Sequence, residues 1–450
     1  MKEYILTPEE MDFTRRCREL ALRKGVQKIR VTANKSTMDL IGTLNGEIDK
    51  VTHCMDRSIS ICVFVDGRYG SFATNRFDEE ELDSFLDKAI STTRMLAEDG
   101  FRDLPDPSRT AKDAKTGLEL ELFDDRYDTV TPQERLRMAL DASIFGKEDG
   151  GDRWTLVSEE AEYSDSVFDT YLIDSQGLEC RHIETSFEYG VEITVEDSEG
   201  DKYSGYWWDG TPLLKDLSIM ECCPKALERA VAQMAPKGHR GGRFNMVIDS
   251  EVASKVVSPV LKALNAYSLQ QNNSFMMDTL GKKVFPEGLS IIDCCRNKGE
   301  TGSRYFDSEG VVSVQRPVIQ NGEVMMYFVN TYMSGKMAMA PTIEEPIRPK
   351  VMPYPQAGLK KDDILKLCGS GIYVTEFNGG NSNSSTGDFS YGIEGFAFKN
   401  GKITHPVREM VVTGNFLTLW SHLLACGDDA RLCMSKLIPT LAFSDVDFSS

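Results

Sequence analysis

The stretch Glu251–Phe275, EVASKVVSPVLKALNAYSLQQNNSF, decides how the rest of the chain is organised. Its apolar residues recur at close to helical spacing, at Val252, Val256, Val260, Leu264 and Tyr267. The pattern predicts one core-packed helix, bent or restarted at Pro259, because proline removes an amide donor and clashes with the preceding turn. Asp249 and Ser250 offer side-chain oxygens at the start, and Ser258 offers a cap for a second helical piece.

This helix stands between a strand-like run and a β-rich half. The run FNMVID precedes it, and SFMMDTLGKKV, LSIIDCC, YFDSEGVVS and VIQNGEVMMYFV follow it. Hairpin turns are predicted at FDSEG, at Asn321-Gly322 and at Asn400-Gly401, because such sequences form tight turns readily. Five prolines between Pro341 and Pro355 predict an extended segment.

The first half of the chain alternates helices with groups of strands. Capping boxes at residues 7–10 and 131–134 each begin a helix with a proline at its first position. Strands are predicted at KIRVTA, DLIGTL and SISICVFV, and at SVFDTYLID, LECRHIETSFEYGVEITVED and KYSGYWWDG. The sequence therefore predicts a two-lobed α+β fold, with an N-terminal α/β lobe of mainly antiparallel sheet and a β-rich C-terminal lobe.

The domain boundary is predicted at residues 236–243, PKGHRGGR, where glycines and a proline favour exposed, pliable backbone. We assign residues 1–235 to an N-terminal α+β domain and residues 243–450 to the C-terminal domain. A further split of the first domain is open near residues 99–118, a predicted surface connection without apolar periodicity.

Six stretches spread along the chain carry a family resemblance. They are LALRKGVQKIRVTANK, ISICVFVDGRYGSFATN, SFMMDTLGKKVF, FDSEGVV, VIQNGEVMMYFV and NSNSSTGDFSYGIEGFAFKNGKITHPVREMVVTGNF. Together they resemble the TldD/PmbA family, whose members are known as modulators of DNA gyrase and as metallopeptidases. The resemblance implies a two-lobed protomer that dimerises and encloses a cleft, with the proline-rich segment running along it.

The metal motif of this family is missing from the chain. In the TldD branch, the helix after the strand carries HExxxH, whose histidines bind zinc beside a glutamate that acts as general base. Here that helix reads VLKALNAYSLQQ, without histidine or glutamate. The resemblance is therefore closer to the PmbA/TldE branch, which lacks the motif. We expect no metal, no cofactor and no catalytic residue of its own.

Two other routes to a catalytic site stay open. The closest pair of the five histidines, His405 and His422, is seventeen positions apart, so only distant segments would assemble a metal site. The family's peptidases also place a cysteine by the metal near the C terminus, and Cys433 falls at a comparable place. Cys433 is either the remnant of such a site or a buried inert thiol. A hydrolase using Cys433 or scattered histidines is the corresponding functional alternative.

The loop GGNSNSSTGDFS, residues 379–390, is rich in glycine and in hydroxyl and amide side chains. It either cradles an anion or a peptide through backbone amides, or simply connects two strands. The family resemblance is strongest here and implies a loop at the cleft wall. We therefore predict that Asn383, Thr386 and Asp388 are, with Cys433, binding residues of the cleft.

The carboxylates of Asp307 and Glu309 in FDSEG, with Asp293 nearby in sequence, look like paired acid and base groups. FDSEG is also a turn sequence, in which Asp and Ser bond their own backbone and glycine supplies a positive φ. The turn interpretation is favoured over the binding-site interpretation.

Composition argues against nucleic-acid binding. Lys and Arg number 51 against 70 Asp and Glu, and the net charge of −19 repels phosphate backbones. Eleven cysteines are scattered without a CxxC pair, the N terminus shows no signal-peptide pattern, and no apolar run is long enough to span a bilayer. We expect a soluble cytoplasmic protein with reduced thiols.

The functional expectation combines these points. We expect a TldD/PmbA-family subunit that binds unfolded peptide and pairs with an HExxxH-bearing zinc peptidase, which would carry out proteolysis or peptide maturation. The alternative is a homodimeric peptide-binding protein without a protease partner. Neither involves direct contact with nucleic acid or membrane.

Overall fold

The computed structural model describes residues 3–148 and 150–450, which form two lobes. The N-terminal lobe is a six-stranded antiparallel sheet with the strand order β3-β2-β1-β4-β5-β6, accompanied by four α-helices. Its elements are α1 (Pro8–Arg23), β1 (Lys28–Leu44), β2 (Glu47–Val65), β3 (Arg68–Thr74), α2 (Glu79–Met95), α3 (Pro132–Asp141), β4 (Trp154–Asp174), β5 (Glu179–Asp197), β6 (Lys202–Thr211) and α4 (Cys222–Ala232).

Helices cover one face of this sheet. In β1, Ile29, Val31 and Ala33 are fully buried in the core formed with α1 and α2. The intervening Arg30 and Thr32 are half-buried and point to the opposite face, because successive side chains of a strand alternate between faces. That opposite face stays polar and turns toward the C-terminal lobe.

The predicted capping boxes of the N-terminal lobe are confirmed, and one strand prediction is corrected. Thr7 and Glu10 form the predicted capping box of α1, and residues 131–134 form that of α3. The prediction of KIRVTA and DLIGTL as separate strands was wrong. The residues between them pair on both sides, with Asn34 opposite Ser58 of β2 and Thr170 of β4, so that β1 is continuous.

The C-terminal lobe is β-rich, as predicted, and completes an α+β fold. A four-stranded sheet has the order β10-β9-β8-β11, and a seven-stranded sheet has the order β12-β7-β17-β15-β14-β13 with β16 on β17. Strand β12 also pairs with β14, which closes the strand order of the seven-stranded sheet into a ring. Strand β7 runs parallel to β12. The elements are β7 (Gly242–Ile248), α5 (Ser254–Ala263), α6 (Ala266–Gln270), β8 (Ile291–Asp293), β9 (Arg316–Gln320), β10 (Glu323–Val324), α7 (Thr331–Met337), β11 (Pro349–Val351), α8 (Lys361–Cys368), β12 (Gly371–Phe377), β13 (Asn381–Ser382), β14 (Asp388–Lys399), β15 (Lys402–Asn415), α9 (Phe416–Ser421), β16 (Leu423–Cys426) and β17 (Leu441–Ser449).

The helical stretch after β7 packs in the core as predicted, but it breaks elsewhere. Pro259 lies inside α5, where neighbouring apolar residues hold the helix against the C-terminal core. The restart comes at Asn265, whose side chain accepts a 2.9 Å hydrogen bond from the amide of Tyr267 and caps α6. Asp249 makes a turn by accepting from the amide of Glu251 at 2.9 Å, and α5 begins without a side-chain cap.

Residues 99–118 connect the lobes with ten of the twenty residues exposed, and the buried part of this predicted surface connection bridges the two lobes. The amide of Ala111 donates to the carbonyl of Gly310 at 3.0 Å, and the amide of Val312 donates to the carbonyl of Arg109 at 2.9 Å. Ala111 and Ala114 are buried against residues of both lobes. The segment shows no apolar periodicity because its buried residues lie in irregular backbone.

All eleven cysteines are free, and the adjacent pairs at 222–223 and 294–295 are buried without bridging. Within residues 3–148 and 150–450, no helix has both the length and the apolar character that crossing a bilayer requires.

Candidate functional site

A cavity of about 470 Å³ lies between the uncovered face of the N-terminal sheet and the C-terminal lobe. Strands β1 to β5 supply one wall, and the FDSEG turn, α6, α7 and the proline-rich segment supply the other. We call it the interlobe cavity. The lining residues that matter below are Arg30, Cys62, Tyr69, Arg102, His182, Tyr267, Arg304, Asp307, Ser308, Glu309, Tyr332 and Glu344.

The FDSEG sequence forms the predicted turn and also lines the cavity. Asp307 Oδ1 accepts hydrogen bonds from the amides of Glu309 and Val311, each at 2.9 Å. Gly310 has φ +83°, and a Cβ there would lie 2.4 Å from Leu178 Cδ2. Only glycine fits this conformation and this close approach. The turn interpretation is confirmed, the same residues line the cavity, and a binding role for them stays a prediction.

The two acidic side chains of the turn differ in how they are held. Glu309 Oε2 accepts hydrogen bonds from the amide and the hydroxyl of Thr331, at 2.9 and 2.8 Å. Asp307 is 6% exposed, and burial, followed by the charge of Glu309, raises the pKa of Asp307 to about 7. Asp307 can thus bind or release a proton near neutral pH, which suits a group that meets a charged or polar ligand.

The sheet wall of the cavity supplies cations and a thiol. A guanidinium nitrogen of Arg30 lies 3.8 Å from Cys62 Sγ, to which the hydroxyl of Tyr69 also donates at 3.3 Å. Burial raises the pKa of Tyr69 to about 12, so its hydroxyl keeps its proton. Arg102 stacks over the rings of Tyr69 and Tyr332, at 4.7 and 3.5 Å. The cavity therefore offers both signs of charge to a bound molecule.

His182 is the histidine of this cavity. Its Nε2 lies 3.3 Å from Glu184 Oε2, and its ring meets the ring of Phe306 edge-on. Burial acts to raise the pKa of Glu184, but the hydrogen bond and charge of His182 bring that pKa below its usual range. Two other histidines, His239 and His405, stack at 6.3 Å between ring centres, away from this cavity.

The interlobe cavity continues along the sheet as a groove. A second chamber of about 490 Å³ shares Arg304, Asp307, Ser308 and Glu344 with the first. A third chamber of about 620 Å³ adjoins the second at Glu188. Five carboxylates and one ammonium group line the third chamber, those of Asp49, Glu160, Glu162, Glu188, Glu192 and Lys50. We call the three chambers together the groove.

The proline-rich segment borders this groove. Glu344, Glu345, Pro346 and Ile347 line the second chamber. Asp293 holds the segment in place, since its Oδ2 and Oδ1 accept hydrogen bonds from the amides of Ile347 and Arg348 at 3.1 and 2.7 Å. Asp293 is therefore an anchor of the segment and not an acid facing the cavity.

The predicted binding residues Asn383, Thr386 and Asp388 lie together in an exposed loop. Their side chains close the loop, because Asn383 Oδ1 accepts from the amide of Ser385 at 2.9 Å and Thr386 Oγ1 donates to Asp388 at 2.6 Å. Asn383 also borders a separate pocket of about 360 Å³ beside α5. The loop is not part of the interlobe cavity, and its binding role stays a prediction.

Cys433 lies apart from that loop. Its thiol is buried, and burial raises the pKa of Cys433 to about 11, so the sulfur is protonated at neutral pH. The neighbouring Arg431 is ion-paired with Glu251 at 2.5 Å and lies over the ring of Trp207 at 4.1 Å. In the described ranges, no hydrogen bond or ion pair joins Cys433 to the loop. Its part in binding also remains a prediction.

The residues at the family's metal position do not fit zinc. Along the α5–α6 stretch the core takes Val260, Leu261, Ala263, Leu264, Ala266 and Leu269. The outward side chains are Lys262, Tyr267, Ser268 and Gln270, an ammonium, a phenol, a hydroxyl and an amide. This set lacks the imidazole, thiolate and carboxylate ligands that zinc requires. Among the residues that the structure describes, no three His, Cys, Asp or Glu side chains converge to hold a metal ion.

Comparison with known proteins decides the family. Models of the PmbA/TldA metallopeptidase match domain 1 at residues 31–93, the central domain at 125–234 and the C-terminal domain at 241–450. A crystal structure from Bacteroides thetaiotaomicron, of a protein named as a candidate modulator of DNA gyrase, is 36% identical with a TM-score of 0.92, covering 99% of each chain. This chain belongs to the TldD/PmbA family.

Other TldD/PmbA relatives agree along nearly the full length. A protein of Escherichia coli O157:H7 named Metalloprotease PmbA is 24% identical over 424 residues, 91% of each chain. A PmbA homolog of Haemophilus influenzae is 26% identical over 428 residues, 91% of this chain and 89% of the relative. TldE of Thermococcus kodakarensis, 14% identical with a TM-score of 0.82 over 98% of this chain and 100% of its own, shows the same fold.

Sequence reasoning missed most of the cavity. Arg30, Cys62, Tyr69 and His182 lie on strands that the pattern predicted, but their role depends on which face of the sheet stays uncovered. One signal was available: the half-buried residues Arg30, Thr32 and Asn34 alternate with apolar ones along β1. An alternating polar row identifies a solvent or cleft face, although it does not tell which of the two.

Proposed function

We propose that this chain is a non-catalytic, PmbA/TldE-like subunit that binds unfolded peptide in the groove and pairs with an HExxxH-bearing zinc peptidase. One observation carries the proposal: a long groove lies beside a helix whose outward side chains offer no zinc ligand. In such a pair, the partner's motif would supply the metal and the general base. This chain would supply the wall and the selection of substrate.

The shape and chemistry of the groove support an extended peptide as its ligand. Its chambers follow β1, β4 and β5 on one face of the sheet, and they measure about 470, 490 and 620 Å³. Carboxylates along the wall would accept hydrogen bonds from a peptide backbone and from lysine or arginine side chains. Peptides that are neutral or basic are therefore the expected substrates.

An open strand edge supports the pairing with a second chain. Strand β2 extends from Glu47, whereas its neighbour β3 pairs with it only from Ile59 onward. Three apolar side chains on this free part are exposed by 46%, 65% and 48%, those of Ile48, Val51 and Met55. An exposed, apolar edge is a template for a strand of another protein. We propose that the partner covers it.

The free thiols support a place in the cytoplasm for this process. Nine of the eleven cysteines are buried, and all are unbridged. Unbridged thiols suit a reducing compartment. Peptide maturation or proteolysis in the cytoplasm is the process that follows from the proposal.

The test measures metal content and peptide hydrolysis, for the chain alone and mixed with an HExxxH relative. We expect no stoichiometric zinc and no hydrolysis by the chain alone, and a mixed dimer in light scattering that cleaves peptide. One zinc per protomer in the purified chain would overturn the proposal. Persistent self-dimers that bind peptide would establish the homodimeric alternative.

Lysine substitutions test whether the partner covers the free edge of β2. Val51→Lys with Met55→Lys places two cations on it, and we expect loss of the mixed dimer. Met220→Lys is the matched control, since Met220 is equally exposed, at 65%, but lies before α4. If the double variant pairs as the parent chain does, the partner binds elsewhere.

A further inference from the structure

A second pocket, beside α5, carries positive charge in a strongly acidic chain. It measures about 360 Å³ and lies between α5 and the loop that contains Asn383. Lys255 and Lys262 line it, and no carboxylate does so among the described residues. Since the chain has a net charge of −19, a positively charged pocket differs from the acidic average of the surface. We call it the lysine pocket.

A third lysine joins the first two from the C-terminal segment. Lys436 Nζ donates a 3.0 Å hydrogen bond to the hydroxyl of Ser258, which lines the pocket. Within residues 3–148 and 150–450, none of the three lysines lies within 4.0 Å of a carboxylate oxygen. Burial, and then the charge of Lys262, lowers the pKa of Lys436, and these two causes outweigh the opposing charge of Glu345.

The rest of the pocket is aromatic and polar. Phe275 and Phe416 stack at 5.8 Å between ring centres, and Lys255 Nζ lies 4.6 Å from the ring centre of Tyr391. Ser382 and Ser384 also line the pocket, and the hydroxyl of Ser384 donates a 2.7 Å hydrogen bond to Asn273 Oδ1. Aromatic walls suit an apolar side chain, and ammonium groups suit a carboxylate. A free phosphate would use the cations but leave the rings without a partner.

The pocket lies close to the second chamber, in the middle of the groove. Ser435 lines the second chamber, and the next residue, Lys436, reaches the lysine pocket. We propose that the lysine pocket binds the terminal carboxylate of a peptide whose last side chain is apolar, with Lys262 and Lys436 as the contacting cations. The proposal rests on the proposed peptide-binding function and adds to it the end by which the peptide is held.

The experiment compares two peptides on the full chain. A fluorescein-labelled peptide ending in leucine is made as the free acid and as the carboxamide, and both are titrated by fluorescence anisotropy. We expect the acid to bind about tenfold more tightly, as one charge-assisted contact predicts. Lys262→Gln and Lys436→Gln should each remove most of this preference. Lys402→Gln, at the 400–401 hairpin, should leave it unchanged.

The outcomes distinguish the carboxylate site from the proposed peptide-binding function on which it rests. Equal binding of acid and carboxamide by the parent chain overturns the carboxylate site but leaves the groove proposal standing. No binding of either peptide overturns both. Inorganic phosphate that binds more tightly than the acid peptide, and loses this binding in Lys262→Gln, would make the pocket a phosphate site. Unchanged thermal midpoints show that the variants are folded, and Lys262, being exposed, is the safer of the two.

Discussion

The carboxylate of Asp307 accepts a 2.9 Å hydrogen bond from the amide of Glu309, and both acidic side chains are buried in one turn between the lobes. Within the described chain, neither has a lysine or arginine nitrogen at ion-pair distance. Burial, with the charge of Glu309 as the second cause, raises the pKa of Asp307 to about 7. A turn that both links the lobes and lines the groove therefore changes charge near neutral pH.

Stability should fall with rising pH because of Asp307. A carboxyl whose folded pKa is raised favours folding most when it is protonated, below its unfolded value of 3.8. That contribution is lost between about pH 4 and pH 7, and its full size is on the order of 4 kcal/mol. Asp307→Asn keeps the acceptor oxygen and removes the titration. We expect its thermal midpoint, measured by calorimetry, to lie above that of the parent chain at pH 8.

The control for this prediction is Asp113→Asn, an exposed carboxylate in the connecting segment. Its midpoint should follow that of the parent chain at every pH. A parent chain and an Asp307→Asn variant with parallel pH profiles would contradict the raised pKa.

Gly310→Ala should destabilise the junction of the lobes. Its φ is +83°, and the new methyl group would lie 2.4 Å from Leu178 Cδ2 and 3.2 Å from Leu172 Cδ2. Strain and overpacking together should cost about 2–4 kcal/mol in the free energy of unfolding. Gly25→Ala is the matched control, because Gly25 has a similar φ of +89° with nothing within 4 Å of an added Cβ. If urea denaturation shows that both variants lose the same free energy of unfolding, backbone strain alone accounts for the loss and overpacking does not contribute.

Glu10→Gln should lower the free energy of unfolding far more than Glu134→Gln, the same change in the second capping box. Glu10 lies 3.1 Å from Lys35, which is 6% exposed at its side chain, and 2.9 Å from Arg57. Leaving Lys35 buried without its anion should cost about 3–5 kcal/mol. Glu134→Gln, whose side chain bonds Thr131 at the surface, should cost about 1 kcal/mol or less. Denaturant unfolding at pH 7 measures both.

The cost of Glu10→Gln should also depend on pH in a defined direction. Burial acts to raise the pKa of Glu10, but the Thr7 amide, Arg57 and Lys35 outweigh it and bring that pKa below its usual 4.5. Its contribution is therefore present above about pH 4.5 and is lost as the pH falls further. Parent and variant should converge in acid, and a constant difference down to pH 2 would be inconsistent with the ion pair.

Cys433 should be inert in the folded chain. Since burial raises its pKa to about 11, the reactive thiolate is scarce at neutral pH and the sulfur is shielded. Mass spectrometry after iodoacetamide treatment should find Cys433 modified only in denatured protein. Fast modification of the native chain, or peptide cleavage that Cys433→Ala abolishes, would revive a catalytic role for this thiol.

The sequence was most informative where structure depends on neighbours along the chain. The capping boxes of α1 and α3 and the hairpin at Asn400-Gly401 follow from residues within a few positions of each other. The break between α5 and α6 was misplaced, because burial of Val256 and Val260 on either side of Pro259 keeps α5 helical. Propensity yields to tertiary packing at such a position.

What the sequence alone determined about this protein is its family, its α+β class and the lack of zinc ligands on the helix after β7, since each of these is written in residue types and short spacings. Only the tertiary structure decided that Arg30, His182, Asp307 and Glu344 share one cavity. The physical reason is that a cavity wall is built from side chains hundreds of residues apart. They meet because one face of a sheet is left without helices and a second lobe docks against it.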